Sequence, residues 1–500
     1  MSTLDGLGSP SYGANIMKHT KRLLSILVVI AISLSADAAT LVVENMKDGE
    51  AIRYPVALLR GRIEIDDDAR PQKATLVVVN KRSDREPNKL DGQVTGDRFL
   101  ALTELVPGKN DLVLKLGDSE LPFTLNYKPQ TNSYVVRAIY HTGDDGATDY
   151  QTQREDDPQD YEAKLDTAMK LMQTFTAECM NELGYGRVTF NLELDDNGRV
   201  KVHTIRGKKS TEHYQTLDYH QTYQSLREES IAALPIDRAV NAALPAYTRW
   251  DPEARKNRAH TAAGGGRFAA FGSAGFFTWP SSLADVSRAF GDATVMDRSK
   301  VCDDSAGRGT CWANAATGIG ALIHEIGHAM GTFHCSDPRA IMSRGFDHFA
   351  RRFVLVEPPC SRHHDPLPVA PKDASRWSPI TADWLVATRF FSLDDPAPYE
   401  KELPAPRMSF NDQERKAIVE APAGLRYVGF GRKSDTFSFN AWRGEKLPTE
   451  IVVPYEAILG ATKSNEFRCR MIDNRGQETW QNIRLALPPQ PKPAEEQAEE

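Results

Sequence analysis

Residues 321–334 read ALIHEIGHAMGTFH, and five positions in this stretch, His324, Glu325, His328, Gly331 and His334, decide how the middle of the chain folds. Side chains four apart on a helix share a face one turn apart, so His324 and His328 can present their imidazoles to one ion. Gly331 is suited to the left-handed conformation that ends a helix, which swings the chain back and offers His334 as a third ligand. Three imidazoles leave the fourth position of a zinc ion open, and that separates a catalytic site from a closed structural one. Glu325, beside the first ligand, reaches a water on the metal without ligating it. The chemistry expected is hydrolysis: a zinc-bound water attacks a carbonyl while Glu325 acts as general base and then returns the proton to the leaving amine. A zinc site kept only for stability is the bland alternative, and the presence of Glu325 with all three ligands counts against it.

Downstream, Ala340-Ile341-Met342-Ser343 follows His334 by a short loop. The pattern HExxHxxGxxH followed by a methionine turn resembles the metzincin zinc metallopeptidases. That resemblance implies an α/β domain made of a twisted sheet and an active-site helix, one catalytic Zn(2+), and Met342 as an apolar floor beneath it. HEIGHAMGTFH and SDPRAIMSRGFDHF, together with QTFTAECMNELG at 173–184 and GGGRFAAFGS at 264–273, resemble a sparsely characterised family of proposed zinc metallopeptidases known mostly from fungi. The likeness runs from about Tyr134 to Phe391. By the metzincin resemblance, Gly264 to Ser273 forms an edge strand on the rim of the cleft, where an extended substrate pairs by main-chain hydrogen bonds, and Gly265, Gly266 and Phe268 become substrate-contact candidates. A flexible loop is the alternative. Ser343 to Phe349, with Gly345, would wall the pocket for the residue after the scissile bond. Two features depart from better-known branches: Cys335 follows the third histidine, and no tyrosine lies between Met342 and Trp384 to assist at the metal. Members of the fungal family often carry a lectin-like C-terminal domain, which is not recognisable here. His348, His363 and His364 receive no role.

Working outward, Tyr134 to Tyr140 reads as a buried strand, and Asp157-Pro158 as the start of a long helix. Tyr161, Leu165, Ala168, Met172, Phe175, Cys179 and Leu183 give that helix a core-facing stripe, and Gly184 closes it. Val188 to Leu194 alternates as a strand and turns at Asp195-Asp196-Asn197-Gly198 into a second through Val200 and Val202. Between Thr40 and Pro129 the candidate strands are 56–65, 74–80, 98–105, 111–116 and 121–127, spaced like a small β-sandwich. After about residue 396 the pattern is strand-like again at 425–430, 436–440, 450–453 and 467–472. The organisation expected is a leader and signal peptide at 1–38, with Met17 a possible true start, a β-sandwich at 40–130, a zinc metallopeptidase domain at 131–395, a β-rich domain at 396–486, and a polar tail at 487–500.

Lys18, Lys21 and Arg22, the apolar run Leu23 to Leu34 and Ala36-Asp37-Ala38 make an export signal, and a run of about a dozen residues is shorter than the roughly 20 a membrane span needs. A secreted or periplasmic product without a stable membrane anchor is therefore expected. Export makes disulfides possible, and Cys302 with Cys311 and Cys335 with Cys360 are the short-loop pairings expected first. A formal net charge of −7 over 500 residues, without a basic stripe, argues against nucleic acid as a partner. The partner expected is a protein or peptide substrate. The competing class is an exported adhesin or carbohydrate-binding protein, in which the β-domains meet a glycan or cell-surface partner and the zinc domain is a non-catalytic scaffold.

Overall fold

The computed structural model describes residues 39–64, 75–81, 87–396, 403–432 and 435–485, and both the export segment and the polar tail lie outside them. The chain divides into two compact units, one ending at Ala397 and one beginning at Pro398.

The first unit opens with β1 (Thr40–Val43), β2 (Glu50–Ile52), β3 (Val56–Glu64), β4 (Leu76–Lys81), β5 (Asn88–Thr95), β6 (Arg98–Glu104), β7 (Gly108–Leu116) and β8 (Ser119–Tyr127). These bond in the order β1-β3-β6-β5-β4-β7-β8-β2, one continuous sheet where two facing sheets were expected. The sheet curls because β5 divides its partners, pairing with β4 through Asn88 to Gly92 and with β6 through Gln93 to Thr95. Gly92 stands at that corner, where a Cβ would come 2.9 Å from the Leu100 carbonyl oxygen.

Alternation along β3 and β6 gives this sheet two buried faces. Ala57, Leu59, Phe99 and Ala101 close over the sheet's own core, whereas Val56, Leu58, Leu100 and Leu102 join the larger core built on the helices that follow. Consequently no packing break occurs near residue 130, and the N-terminal strands belong to the same unit as the metal-site residues.

That larger core is organised by β9 (Val135–Thr142), α1 (Tyr161–Glu182), β10 (Asn191–Leu192), β11 (Val202–Arg206), α2 (Thr211–Thr216), α3 (Tyr219–Ala233), β12 (Ala239–Pro245), a hairpin of β13 (Arg249–Asp251) and β14 (Lys256–Arg258), then β15 (Ala262–Gly265), β16 (Phe268–Phe271), α4 (Val286–Ala289) and α5 (Cys311–Ala329). The sheet runs β10-β9-β12-β16-β15, with β11 also on β9. Every pairing is parallel except that of β15, which is antiparallel to β16 and lies at the edge. Period-two alternation sends Ala138, Tyr140, Ala242, Leu244, Ala269 and Phe271 to the face covered by α1 and α5, and Ile139, Ala243, Phe268 and Ala270 to the face where Leu226 of α3 packs.

Two local details differ from the sequence reading: the strand expected from Val188 to Leu194 is confined to Asn191–Leu192, and the long helix begins later. Helix α1 starts three residues later than expected, because Gln159 sits at φ 56° and Asp160 becomes the N-cap, accepting from the Ala163 amide, while Asp157 takes the Tyr150 hydroxyl. Gly184 at φ 84° ends the helix, and the Asp195 to Gly198 turn is fastened by the Asp195 carboxylate, which accepts from the amides of Asn197 and Arg199.

All six cysteines are free thiols, which corrects both expected disulfides. The turn between Cys302 and Cys311 separates their environments: Cys302 Sγ accepts from Asn257 Nδ2 at 3.1 Å, and Cys311 Sγ lies 3.8 Å from Met296 Sδ. Cys335 faces Ser378 and Thr381, whereas Cys360 packs with Trp312 and Ala313. Proximity in sequence did not bring the Cβ vectors together.

The second unit has the β-rich character expected of it. It contains a three-stranded antiparallel sheet from Arg407–Asn411, Lys416–Glu420 and Glu450–Pro454, and a four-stranded one from Ser438–Ala441, Leu425–Gly431, Glu466–Asp473 and Glu478–Arg484, with one helix at Tyr455–Thr462. Among the described residues no helix is long and apolar enough to cross a membrane.

Candidate metal centre

Helix α5 carries the first two histidines through the middle of the core: of its 19 residues, all but His328 are buried. Three glycines make so close a fit possible. A Cβ on Gly318 would meet Trp279, one on Gly320 would stand 2.0 Å from the Phe346 carbonyl oxygen, and one on Gly327 would stand 2.7 Å from Met342 Sδ. Met342 itself is fully buried, so the methionine lies against the helix between the two histidines as a floor.

The helix ends as its sequence requires. Gly331 takes φ 81°, its amide donates to His328 O, and the Thr332 amide reaches back to Gly327 O at 3.0 Å, the paired hydrogen bonds of a Schellman motif. Three residues later His334 faces the helix. The hairpin loop after it is fastened by the Cys335 amide to Met342 O and by the Ile341 amide to Arg376 O.

The three imidazoles converge. His334 Nε2 lies 3.1 Å from His328 Nε2 and 3.3 Å from His324 Nε2. A carbonyl only accepts, so Nδ1 of His324 at 2.7 Å from Ile341 O, and Nδ1 of His328 at 3.0 Å from Thr332 O, must carry the ring proton. Both Nε2 atoms are then lone pairs aimed at His334. Lone pairs crowded on one point repel one another unless a cation lies between them. Tetrahedral zinc with bonds of about 2.0–2.1 Å sets neighbouring nitrogens about 3.3 Å apart, so this chain's own donors fit one such ion. Burial favours the neutral ligand form as well, pushing the His324 imidazolium down to about 4. Among the described residues this is the one group of three metal-ligating side chains so arranged.

Glu325 is 7 % exposed, and burial pushes its carboxyl up to about 8; a dication beside it would oppose that shift by favouring the carboxylate. Access comes from the side of His328 and His334, which are half-buried.

The stretch Gly264 to Ser273, expected as one edge strand, is a hairpin: Gly264 and Gly265 end the edge strand β15, whereas Phe268–Phe271 forms β16 inside the sheet, and β15 adjoins this centre. Gly264 of β15 touches the backbone of α5, where a Cβ would fall 2.1 Å from Glu325 O and 2.9 Å from His328 Cβ. The Arg267 amide ties the hairpin turn to Ala329 O at the end of α5. Gly265 and Gly266, at φ 158° and 56°, form that turn beside the strand. Phe268, however, faces α3 on the far side of the sheet and is fully buried, so it has no surface for a substrate. Gly345 is also misassigned: it is buried under the turn, where a Cβ would fall 2.1 Å from Arg339 O, and its carbonyl accepts from Ser375 Oγ at 2.6 Å. The residue of the Ser343 to Phe349 segment that does meet the metal site is Phe346, whose ring packs edge-on at 5.2 Å from the His324 ring.

Gly264 carries a direct test. Gly264→Ala drives a methyl group into the peptide that bears Glu325, and overpacking of this kind costs about 1–3 kcal/mol. The variant is expected to unfold at lower urea than the native chain and, because the struck peptide is that of Glu325, to lose activity while keeping its metal. An unchanged urea midpoint would mean that the strand does not lie against the helix.

Residues 40–425 match the model of the family described as "Putative peptidase family". A "putative zinc metalloproteinase" of Schizosaccharomyces pombe is 27% identical over 361 residues, covering 67% of this chain and 58% of the relative. A second protein of that name, from Saccharomyces cerevisiae, is 26% identical over 378 residues, covering 67% of this chain and 52% of the relative. The chain thus spans little more than half the length of these curated relatives. Among solved structures, catalytically inactive OgpA of Akkermansia muciniphila in complex with an O-glycopeptide is similar at 18% identity and a TM-score of 0.42, over 71% of this chain and 93% of that one. A likeness that loose carries no weight for the chemistry.

Proposed function

The chain belongs to the peptidase family whose model spans residues 40–425, and from that premise we propose that it is a zinc-dependent endopeptidase acting on protein or peptide substrates. The observation that carries the reading is the convergence of three imidazole nitrogens, two with their protonation fixed by carbonyls, beside a buried carboxyl that ligates nothing. Bound zinc would supply Lewis acidity there for a water and a carbonyl. The protein does the rest. His324, His328 and His334 would hold the ion, with the first two oriented by Ile341 O and Thr332 O. Glu325 takes a proton from the water as its oxygen bonds to the scissile carbon, and gives that proton to the amine nitrogen as the C–N bond breaks. No covalent enzyme intermediate is formed. The α5 helix, the glycine turn, Met342 beneath the histidines and an antiparallel edge strand together support a metzincin-like arrangement for this centre. The basic-apolar-small order of residues 18–38 supports export of the chain after cleavage near Ala38.

The test is cleavage of an unbiased peptide mixture by the chain from Ala39 onward, before and after removal of metal by a chelator. Cleavage that disappears with the chelator and returns with one equivalent of zinc is expected. Activity that survives complete removal of the metal would sink the assignment.

A further inference from the structure

Two tyrosines of α3, unused so far, lie where the edge strand meets Glu325. The phase of β15 is fixed by the Gly272 amide, which donates to Thr261 O. In an antiparallel pair the hydrogen-bonded residues alternate, so Thr261, Ala263 and Gly265 turn their main-chain groups toward β16 and leave those of Ala262 and Gly264 on the outer edge. That edge is the row to which another strand would add.

It is already engaged at one point. The Tyr219 hydroxyl donates to the outward Ala262 carbonyl. One helical turn on, the Tyr223 hydroxyl lies 3.4 Å from both Gly265 O and Phe268 O and steadies the hairpin turn. Tyr219 is held firmly at its own end: it is the first residue of α3, whose N-cap Asp218 accepts from the Gln221 amide at 2.8 Å while the Gln221 side chain accepts from the Asp218 amide at 3.0 Å. Yet the ring remains 41 % exposed.

We propose that Tyr219 is a specificity-determining residue that competes with substrate: its hydroxyl occupies the outward carbonyl of Ala262 that a main-chain N–H of an extended peptide takes when it pairs with β15, so that substrate binds by exchanging one donor for the other. This rests on the reading of the chain as a peptidase. The exchange selects substrate chemistry. A peptide unit without an N–H, such as proline or an N-methylated residue, cannot replace the hydroxyl and is disfavoured at that one register position. Tyr219 also contributes no proton to bond cleavage under this proposal, so its effect falls on binding and not on turnover.

The experiment compares native chain, Tyr219→Phe, Glu325→Ala and the double variant, all full-length and zinc-loaded, with a peptide that the native chain cuts and with a set carrying one N-methyl group at each position in turn. Tyr219→Phe frees the carbonyl of its competitor, so KM for the peptide, and Kd for the same peptide on the Glu325→Ala background, are expected to fall roughly 2- to 10-fold, the worth of one net hydrogen bond. Turnover number and melting temperature should stay as they were, and N-methylation at a single position should abolish the gain. Unchanged or weaker binding, a fall in turnover number, or a gain that survives methylation at every position overturns the proposal while leaving the peptidase reading in place. If the native chain cuts no peptide in the mixture and Glu325→Ala binds none, the peptidase reading itself fails and takes this inference with it.

Discussion

Glu325→Ala is expected to bind as much zinc as the native chain and to hydrolyse peptides about 10²–10⁴ times more slowly, the range in which a positioned general base contributes. The two halves of this result have separate structural causes. Zinc retention follows because the three imidazoles are held without Glu325: His324 by Ile341 O, His328 by Thr332 O, and His334 by the chain reversal at Gly331. The loss of rate follows because Glu325 is the carboxyl next to the first ligand, buried to 7 % exposure, with no ligand role to fill. Glu325→Gln keeps the shape and removes the base, and should lose rate to a similar extent. Zinc stoichiometry and kcat/KM, measured on the same preparations, separate the outcomes. Zinc lost along with activity would make the carboxylate a ligand, and a rate within a factor of two of native would remove it from the chemistry.

What was legible in the sequence was local. His324, His328, Gly331 and His334 lie within eleven residues, and helix geometry plus one left-handed glycine suffices to bring them together. Met342 was legible because a short loop leaves it little choice of place. Residues far apart in sequence were not legible: Tyr219 lies about a hundred positions before Glu325, and its approach depends on α3 crossing one face of the sheet while α5 crosses the other. The same topology explains the misreading of Phe268. Without knowing which face β16 turns to which helix, a strand-borne aromatic near the metal-site helix reads as a substrate contact, and a phase of one residue decides the matter. Gly264 was seen only as part of a glycine run, whereas its value lies in a contact with the peptide of Glu325 that no spacing rule announces. The cysteine pairings failed for a related reason, since a separation of nine residues for Cys302 and Cys311, or 25 for Cys335 and Cys360, limits the distance between two side chains but not their directions. In the N-terminal region the individual strands were visible from alternation, yet the corner in β5 and the second buried face of β3 and β6 depend on partners elsewhere.

That second face leads to the other large effect, Glu178→Ala, which is expected to destabilise the first unit by about 3 kcal/mol or more, because several buried donors lose their acceptor at about 1–3 kcal/mol each. Glu178 belongs to α1, beside Cys179 of the apolar stripe, and its side chain is 1 % exposed. It is satisfied from two directions. Arg187 Nε, from the loop after the helix, donates to it at 2.7 Å; from the N-terminal sheet region come Asn45 Nδ2 at 2.9 Å, the Tyr54 hydroxyl at 3.1 Å and the Arg60 guanidinium at 3.4 Å. Truncation leaves Arg187, whose side chain is 7 % exposed, with only Glu50 and a main-chain carbonyl in its reach. The helix it disturbs also supports the metal centre, since Thr176 Oγ1 accepts from Trp377 Nε1 at 3.2 Å and the Trp377 ring lies against Gly327 beside His328. Replacing both charges together, as Glu178→Leu with Arg187→Met, should cost less than the single truncation, because the buried guanidinium is removed with its carboxylate and the ion pair lost in addition is that of Glu50, whose side chain is partly exposed. Urea unfolding followed by amide hydrogen exchange of the N-terminal strands, which carry no tryptophan, and by zinc release distinguishes two pictures of the fold. If the N-terminal strands and the metal centre are one cooperative unit, both signals shift together in Glu178→Ala. If zinc release keeps its native midpoint while strand exchange shifts, the strands are a separately folding attachment and the shared core does not couple them.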